Sequence, residues 1–583
     1  MKKNITILGI HIFHDAGAAI IQNGQVLAAI SEGPIINVKH ASGYPSKSIE
    51  EVFNIAKIDP SEIDAIALVG IPNLKFPKHF ARYPNISDSV LEWSWITSNP
   101  KGLEINYSYL HQIEKIEKLR EILNKLNIPL KEIIFVEHHT AHASSAYYLS
   151  PWNMDEEVLV ITSDAAGDGL SSTVSIASNG KIDRIKNSET NYGDSLGGFY
   201  SSVTEYLGMD YGFDPFKTMG LAPYGNPEKA INEIKKIIQI NPQNPLCFQN
   251  KFGTIHDIQQ NLSKLLRGKR FDHIAAASQL WFETLTTEWI QNIVKKTDIR
   301  KIACAGGAFL NVKANRSILS LECIDDAFFC PASNDEGLAV GAALRCYFEI
   351  ASRDGNKPNK IPLTNNYFGT SFTNEQIKEE LKNHDLLDKA EFFDDIDSEV
   401  GEFIANSEKI LGRFSGQMEW GPRGLGNRSI IADSSNPNIV RKINKAIKMR
   451  DFWMPFGPSI LASRTDDYLI DGKISPYMIL AFDTTDNRND LTAAIHPYDL
   501  TCRPQTVDGD FNPAYEKVLK SFESKTSRGV ILNTSFNLHG SPIVWNPKNA
   551  IDTFNNSKLD AIALGNYLIK KNLYNFIILY MSQ

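Results

Sequence analysis

Two stretches of this chain carry one pattern, and that repetition limits the folds open to it. In the first, the apolar run Ile5–Ile10 is followed by His14-Asp15, Gly17-Ala18-Ala19-Ile20-Ile21, Asn23-Gly24 and Val26–Ile30. In the second, Val158–Ile161 leads to the acidic loop Asp164-Ala165-Ala166-Gly167-Asp168-Gly169, then Ser172–Ile176, Asn179-Gly180 and a further short run. Apolar runs around Asn-Gly predict a hairpin with a type I′ turn, whose central residues both need positive φ. Each stretch therefore reads strand, acidic loop, strand, tight turn, strand. Such self-similarity points to a duplicated unit, although two unrelated hairpins of an α/β protein would read the same way.

A duplicated sheet that opens on this meander resembles the actin/hexokinase/Hsp-type ATPase fold. That resemblance implies two hairpins facing each other across nucleotide phosphates. The length of 583 residues exceeds one core and predicts two or three domains. Residues 353–366, polar with Gly and Pro, read as a linker between a domain at 1–352 and one at 367–583 that holds the strands Ile410–Phe414 and Gly529–Phe536. Residues 110–128 read as an amphipathic helix. Phe576–Met581 reads as a buried strand or a packed tail.

A net charge of −8 gives no reason to expect a nucleic-acid partner. Local basic residues could still converge on a small anion. The six cysteines are scattered without a CxxC, which fits a reducing cytoplasm. Nothing reads as a signal peptide or a membrane span.

His138 and His142 stand where an apolar run ends and a small-residue helix begins (Ile133–Tyr147). Four residues apart, they share one helix face and can close on one divalent metal. Alternatively, one caps or packs while the other is solvated. Further on, Ala303–Asn311 reads as a strand, the pair Gly306-Gly307 and a helix start, where backbone N–H groups can approach a phosphate or ribose. Asp335 falls on a loop at the head of another small-residue helix, where an N-cap is the plain reading.

Three passages together resemble the NodU/CmcH-type O-carbamoyltransferases. They are Glu137–Tyr147, Met418-Glu419-Trp420-Gly421-Pro422-Arg423-Gly424-Leu425-Gly426-Asn427-Arg428, and Leu532–Asn537 with Gly540 and Pro542-Ile543-Val544. His14-Asp15, Met219–Gly225 and Gly306-Gly307 with Asn311 support them. The resemblance implies an α/β chain whose duplicated ATPase-type domain looks like the tRNA threonylcarbamoyl-transferring enzymes, followed by a YrdC-like α/β domain. It also implies a reaction. Carbamoyl phosphate is broken down in the second domain, the carbamate is adenylated by ATP (with Mg), and the first domain passes the carbamoyl group to a hydroxyl. Acceptors in such a family are natural products: antibiotics, toxins or signalling glycans. The chain departs from the family pattern at Ser31-Glu32-Gly33-Pro34, at Ala165 and at Gln417.

The same resemblance assigns residues. His138, His142 and Asp335 would hold a divalent metal; two imidazoles and a carboxylate suit Fe(II), with zinc or manganese also allowed. His14 would act as base, oriented by Asp15. Asp164, Gly167, Gly169, Lys217, Gly306, Gly307 and Asn311 would serve ATP. Arg423, Arg428, Lys448, Arg450, His496, Arg503, Asn533 and Ser535 would hold carbamoyl phosphate, for which the planar Arg fork is well suited. An enclosed path between the two sites would protect a hydrolysable adenylate.

Two rivals remain at this stage: a metal-dependent small-molecule kinase and a non-enzymatic nucleotide-dependent scaffold. Residues 71–110, with Phe76, Phe80, Tyr83, Trp93 and Trp95, are candidates for the acceptor pocket, or for packing. A cytoplasmic protein without nucleic-acid or membrane partners is expected, and a homodimer is one assembly open to it.

Overall fold

The computed structural model describes residues 4–70, 117–129 and 131–571. The sequence repeat folds as two sheets of one topology. One sheet runs in the order Gln25–Ser31, Gly17–Gln22, Thr6–His11, Ala65–Val69, Glu132–Val136. The other runs Lys181–Arg184, Leu170–Ser178, Val158–Gly167, Lys301–Ala305, Asp326–Phe329, with Thr190–Asn191 also paired to Leu170–Ser178. In both, the first three strands in sequence form an antiparallel meander. The last two add parallel to its opening strand. The duplication is therefore one of strand order and direction, as in the ATPase-type fold. Both hairpins turn on Asn-Gly with positive φ throughout: 51° and 86° at Asn23-Gly24, 51° and 76° at Asn179-Gly180.

Strands Thr6–His11 and Ala65–Val69 are buried along their whole length, as parallel strands covered by helices on both faces must be. Part of that cover is helix Leu338–Arg353, in which twelve of sixteen side chains are buried. A Cβ on its Gly341 would fall 2.0 Å from the Ala141 carbonyl oxygen. This helix and His138–Leu149 consequently touch backbone to backbone, which small residues alone permit.

The chain divides into two units. The first comprises Met1–Gly33, His40–Thr364 and Trp420–Pro422; the second comprises Pro34–Lys39, Asn365–Glu419 and Arg423–Gln583. Residues 354–366 carry no regular element, yet they do not run as a free tether. Asn359 N–H donates to Tyr347 Oη at 2.9 Å, Lys360 Nζ to the Ser150 and Trp152 carbonyls, and Leu363 N–H to the Leu149 carbonyl at 2.9 Å. The segment is a strap lying on the first unit.

The second unit is built on an eight-stranded mixed sheet, ordered Ala390–Phe392, Tyr567–Lys570, Ala561–Leu564, Ile410–Phe414, Arg428–Ala432, Val530–Ser535, Gly457–Leu461, Gln505–Val507. Period-2 alternation sends Ile410, Phe414, Ile430 and Leu532 to one core and Leu411, Ile431 and Ile531 to another. Residues 117–125 of the expected amphipathic helix are helical and bury Leu119 and Leu123. The aromatic stretch Phe76–Trp95 and the apolar run Phe576–Met581 lie outside the described residues. Among the described residues no helix is long and apolar enough to cross a membrane.

Candidate metal centre and anion site

Glu137 and Asp168 set where the metal-type helix starts. Glu137 accepts from the His139 and Thr140 backbone N–H groups at 2.9 and 2.7 Å. Asp168 accepts from His138 N–H at 2.8 Å. Carboxylates at a helix N-terminus satisfy otherwise orphaned donors and complement the helix dipole. Arg184 holds Glu137 at 2.6 Å. Behind the helix start, a Cβ on Gly167 would fall 2.1 Å from the His138 ring, so this glycine makes room for the imidazole.

From that helix both imidazoles turn toward two carboxylates. His142 Nε2 lies 3.1 Å from Asp164 Oδ2 and 3.6 Å from Asp335 Oδ1. His138 Nε2 lies 3.7 and 3.8 Å from the same two atoms. The donor atoms of all four residues fall within 4.8 Å of one another. Bonds of about 2.0–2.2 Å to one ion would place neighbouring donors roughly 3.0–3.6 Å apart, so the cluster has the size of a metal site. His138 Nε2 is buried and makes no hydrogen bond, a cost that a cation would remove. The donor set therefore fits a divalent metal, and two imidazoles with two carboxylates suit iron, zinc or manganese. Asp164, expected near ATP with a role through a metal or a hydroxyl rather than direct contact, stands in this cluster. Burial would raise the carboxyls of Asp164 and Asp335, but the histidines hold both well below the usual range. His138, lowered by burial, is lifted to about 9 by Asp335 and Asp164.

Asp335 uses its two oxygens differently. Oδ1 faces His138 and His142, whereas Oδ2 lies 3.2 Å from His14 Nε2 and 3.6 Å from His11 Nε2. His14 Nδ1 in turn lies 3.3 Å from Asp15 Oδ2. With a carboxylate at each nitrogen, the half-exposed His14 ring is a cation: burial lowers its pKa, but Asp335 and Asp15 raise it to about 10. Both nitrogens face carboxylates, an arrangement that favours the protonated ring over the neutral one a base needs. His11 and His40 were missed by the sequence reading. His11-x-x-His14 was a signal for the first. For the second, only the fold brings His40 Nδ1 to 2.8 Å from Asp15 Oδ1.

The other residues expected at ATP sit as follows. Gly307 abuts Asp164 and Gly306 abuts Ser163, and Gly169 closes the acidic loop at φ 83°. Asn311 caps helix Val312–Leu319 and exchanges amide bonds with Gln279. Lys217 pairs with Asp214 at 3.0 Å.

In the second unit, Glu419 shapes the Gly-rich loop by accepting from the Leu425, Asn427 and Arg428 backbone N–H groups at 2.7, 2.9 and 3.1 Å. The expected anion ligands there divide into two groups. Arg428 is wholly buried, bonds to the Ser415, Gly416 and Thr370 carbonyls, and lies 3.8 Å over the Phe414 ring. Asn533 bridges Gly424, Ser459 and Gln505. His496 Nδ1 accepts from Tyr498 N–H at 3.2 Å and so closes a turn. All three are framework.

Arg423 and Arg450 instead both lie close enough to Arg503 for their charges to act on it. Burial lowers Arg503, and the charges of Arg423 and Arg450 push it further down. Burial also lowers Lys448, helped by Arg450 and by Lys39, which the sequence reading passed over. Lys448 spends its donors on Ser535 and Asn537, so it is held in place within this group. Arg450 reaches Thr534 Oγ1 at 3.5 Å, and among the described residues no ion pair joins Lys448, Arg450 or Arg503 to a carboxylate. Cationic groups gathered this way lower one another's proton affinity and favour a bound anion.

These two sites can be set beside known proteins. The family model "Carbamoyltransferase N-terminus" matches residues 6–344 and "Carbamoyltransferase C-terminus" matches residues 403–571. The chain belongs to the carbamoyltransferase family and is an enzyme of that class, which removes the scaffold reading. An uncharacterized protein of Methanocaldococcus jannaschii is 33% identical over 97% of this chain and 99% of its own length. Nodulation protein NolO of Bradyrhizobium diazoefficiens is 32% identical over 75% of this chain and 79% of its own. Nodulation protein NolNO of Sinorhizobium fredii is 29% identical over 96% and 79%. Among solved structures, full-length HypF in its phosphate- and nucleotide-bound form gives a TM-score of 0.37 at 16% identity, over 60% of this chain and 56% of that one.

Proposed function

We propose that this carbamoyltransferase works through carbamoyl-adenylate. Carbamoyl phosphate and water give carbamate and phosphate. Carbamate attacks ATP to give carbamoyl-adenylate and pyrophosphate. A small-molecule hydroxyl then takes the carbamoyl group and AMP leaves. The observation that carries this reading is the gathering of basic side chains Arg423, Arg450, Arg503 and Lys448, without a described carboxylate beside Lys448, Arg450 or Arg503. A kinase would have no use for such a second anion site.

Arg423, Arg450 and Arg503 would grip the phosphate by charge-assisted bonds. Lys448 would fix Ser535 and Asn537 and add its charge. In the first unit, Asp164, Asp335, His138 and His142 would hold a divalent metal, Fe(II) by the family resemblance, which supplies Lewis-acid polarisation of an oxygen. His14 would manage the acceptor's proton. Asp335, which would also be one of the metal's ligands, would then pull less on His14, and the ring would come closer to the range of a general base. Gly306 and Gly307 border this cluster and are offered for ATP. The nodulation relatives favour an acceptor hydroxyl on a natural product such as a signalling glycan.

The reading is tested by the nucleotide products. AMP and pyrophosphate formed only when carbamoyl phosphate is present support it; ADP formed without carbamoyl phosphate favours the kinase.

A further inference from the structure

One histidine beside the transfer site has no part in the scheme so far. The segment from His40 to Gly43 is clipped to the first hairpin at two points. Ala16 N–H donates to the Ala41 carbonyl and Gly43 N–H to the Ile12 carbonyl, each at 3.0 Å. These clips flank His14 and Asp15 in sequence. Between them His40 Nδ1 meets Asp15 Oδ1 at 2.8 Å, while Asp15 Oδ2 faces His14 Nδ1 at 3.3 Å. A carboxylate only accepts hydrogen bonds, so each Nδ1 carries a proton.

The His40 ring stacks on Phe213 with centroids 3.8 Å and planes 11° apart, so it does not turn away freely. Asp15 and His40 both take left-handed backbone, at φ 57° and 53°. Asp and His are among the side chains that tolerate this region, and here it sets the direction in which the two side chains leave the backbone.

We propose that His40 is a positioning residue for the transfer step. By occupying one oxygen of Asp15, it holds the other against His14 Nδ1. That contact fixes the direction of the His14 ring, whose Nε2 faces Asp335. Remove His40, and the Asp15 carboxylate is free to rotate, to turn both oxygens elsewhere and to leave His14 held at Nε2 by Asp335 alone. Asp15 alone would then orient His14 poorly, because one hydrogen bond to a rotatable carboxylate defines little. The meaning for catalysis rests on the carbamoyl-transfer reading above; the geometry does not.

The test uses the full chain with ¹⁵N-labelled histidine. The His14 Nδ1–H signal is assigned by its loss in His14→Gln. In the wild type it is expected downfield, as a proton shared with a carboxylate. His40→Ala should lose that shift. His40→Asn, which keeps a donor near the Nδ1 position, should restore most of it. An unchanged His14 signal in His40→Ala overturns the proposal. So does a signal lost equally in His40→Asn and His40→Ala with both variants folded by circular dichroism, because the ring rather than the bond to Asp15 would then matter. Pyrophosphate release by the wild type with carbamoyl phosphate is read separately: its absence overturns the carbamoyl reading and leaves the NMR result to decide the role of His40.

Discussion

His142 Nε2 stands 3.1 Å from Asp164 Oδ2, with the buried His138 Nε2 beside them making no hydrogen bond. The pair joins a helix rooted in one half of the duplicated domain to the hairpin loop of the other. Metal analysis of purified wild type should find a divalent ion, and His142→Ala and Asp164→Asn should each lose it. The loss should exceed the roughly 10–100-fold that removal of an outer-shell partner costs. Full retention in both variants would show that the cluster does not bind a metal.

Metal binding should release protons. In the metal-free cluster His138 is raised to about 9 by Asp335 and Asp164, so at pH 7 its ring is protonated and must lose that proton to become a ligand. Affinity should therefore rise with pH between 6 and about 9. Adding a divalent ion in weak buffer near pH 7 should release at least about one proton per ion. No release, read by a pH indicator, would contradict the protonation assigned to His138.

Two glycines should separate stability from site integrity. Gly341→Ala drives a methyl into the Ala141 carbonyl and should cost about 1–3 kcal/mol of stability, read by denaturant unfolding. Gly167→Ala meets the His138 ring instead. It should reduce metal content more than it lowers stability.

Much of this was legible in the sequence, for identifiable reasons. Asn-Gly between apolar runs is a local signal, so both hairpins could be read without tertiary information. His138 and His142 share a helix face by spacing alone. An acidic Gly loop reads as a phosphate neighbour, which gives Asp164 a role through a metal or a hydroxyl but not its partners; only the pairing of Val158–Gly167 within its sheet brings that carboxylate to the histidines. Arg423 and Arg428 lie on one Gly-rich loop and look equivalent in sequence. Arg428 starts a central strand and bonds inward to Ser415 and Thr370, a difference that exists only after folding. His40 lies 25 residues from Asp15, and no local pattern connects them.

That division of the arginines can be measured. Arg503→Ala should raise the carbamoyl phosphate requirement about 10–100-fold, as expected for a lost charge-assisted bond, while the protein stays folded. Arg428→Ala should instead destabilise the second unit by about 3 kcal/mol or more, since it strands several buried carbonyls. Equal effects on folding would refute the distinction.

Glu137 should make stability depend on acid. Burial raises its carboxyl, but Arg184 and Thr140 bring it down, toward about 2 from an unfolded value of 4.5; the buried His139 ring beside it, lowered to about 3, is neutral above that and adds no charge. A depressed folded value means the contribution is whole above pH 4.5 and disappears as pH falls toward 2. Glu137→Gln should be less stable at pH 7 and show a flatter loss between pH 4.5 and 2. A loss as steep as that of wild type would place the acid sensitivity elsewhere.

The central claim is that one chain makes an adenylate of carbamate and then spends it. Mass spectrometry of a single-turnover mixture of enzyme, ATP and carbamoyl phosphate tests this most directly. Carbamoyl-adenylate together with pyrophosphate, absent without carbamoyl phosphate and reduced in Arg503→Ala at a carbamoyl phosphate level that suffices for wild type, is the predicted result. ADP as the only nucleotide product, formed whether or not carbamoyl phosphate is present, would contradict it.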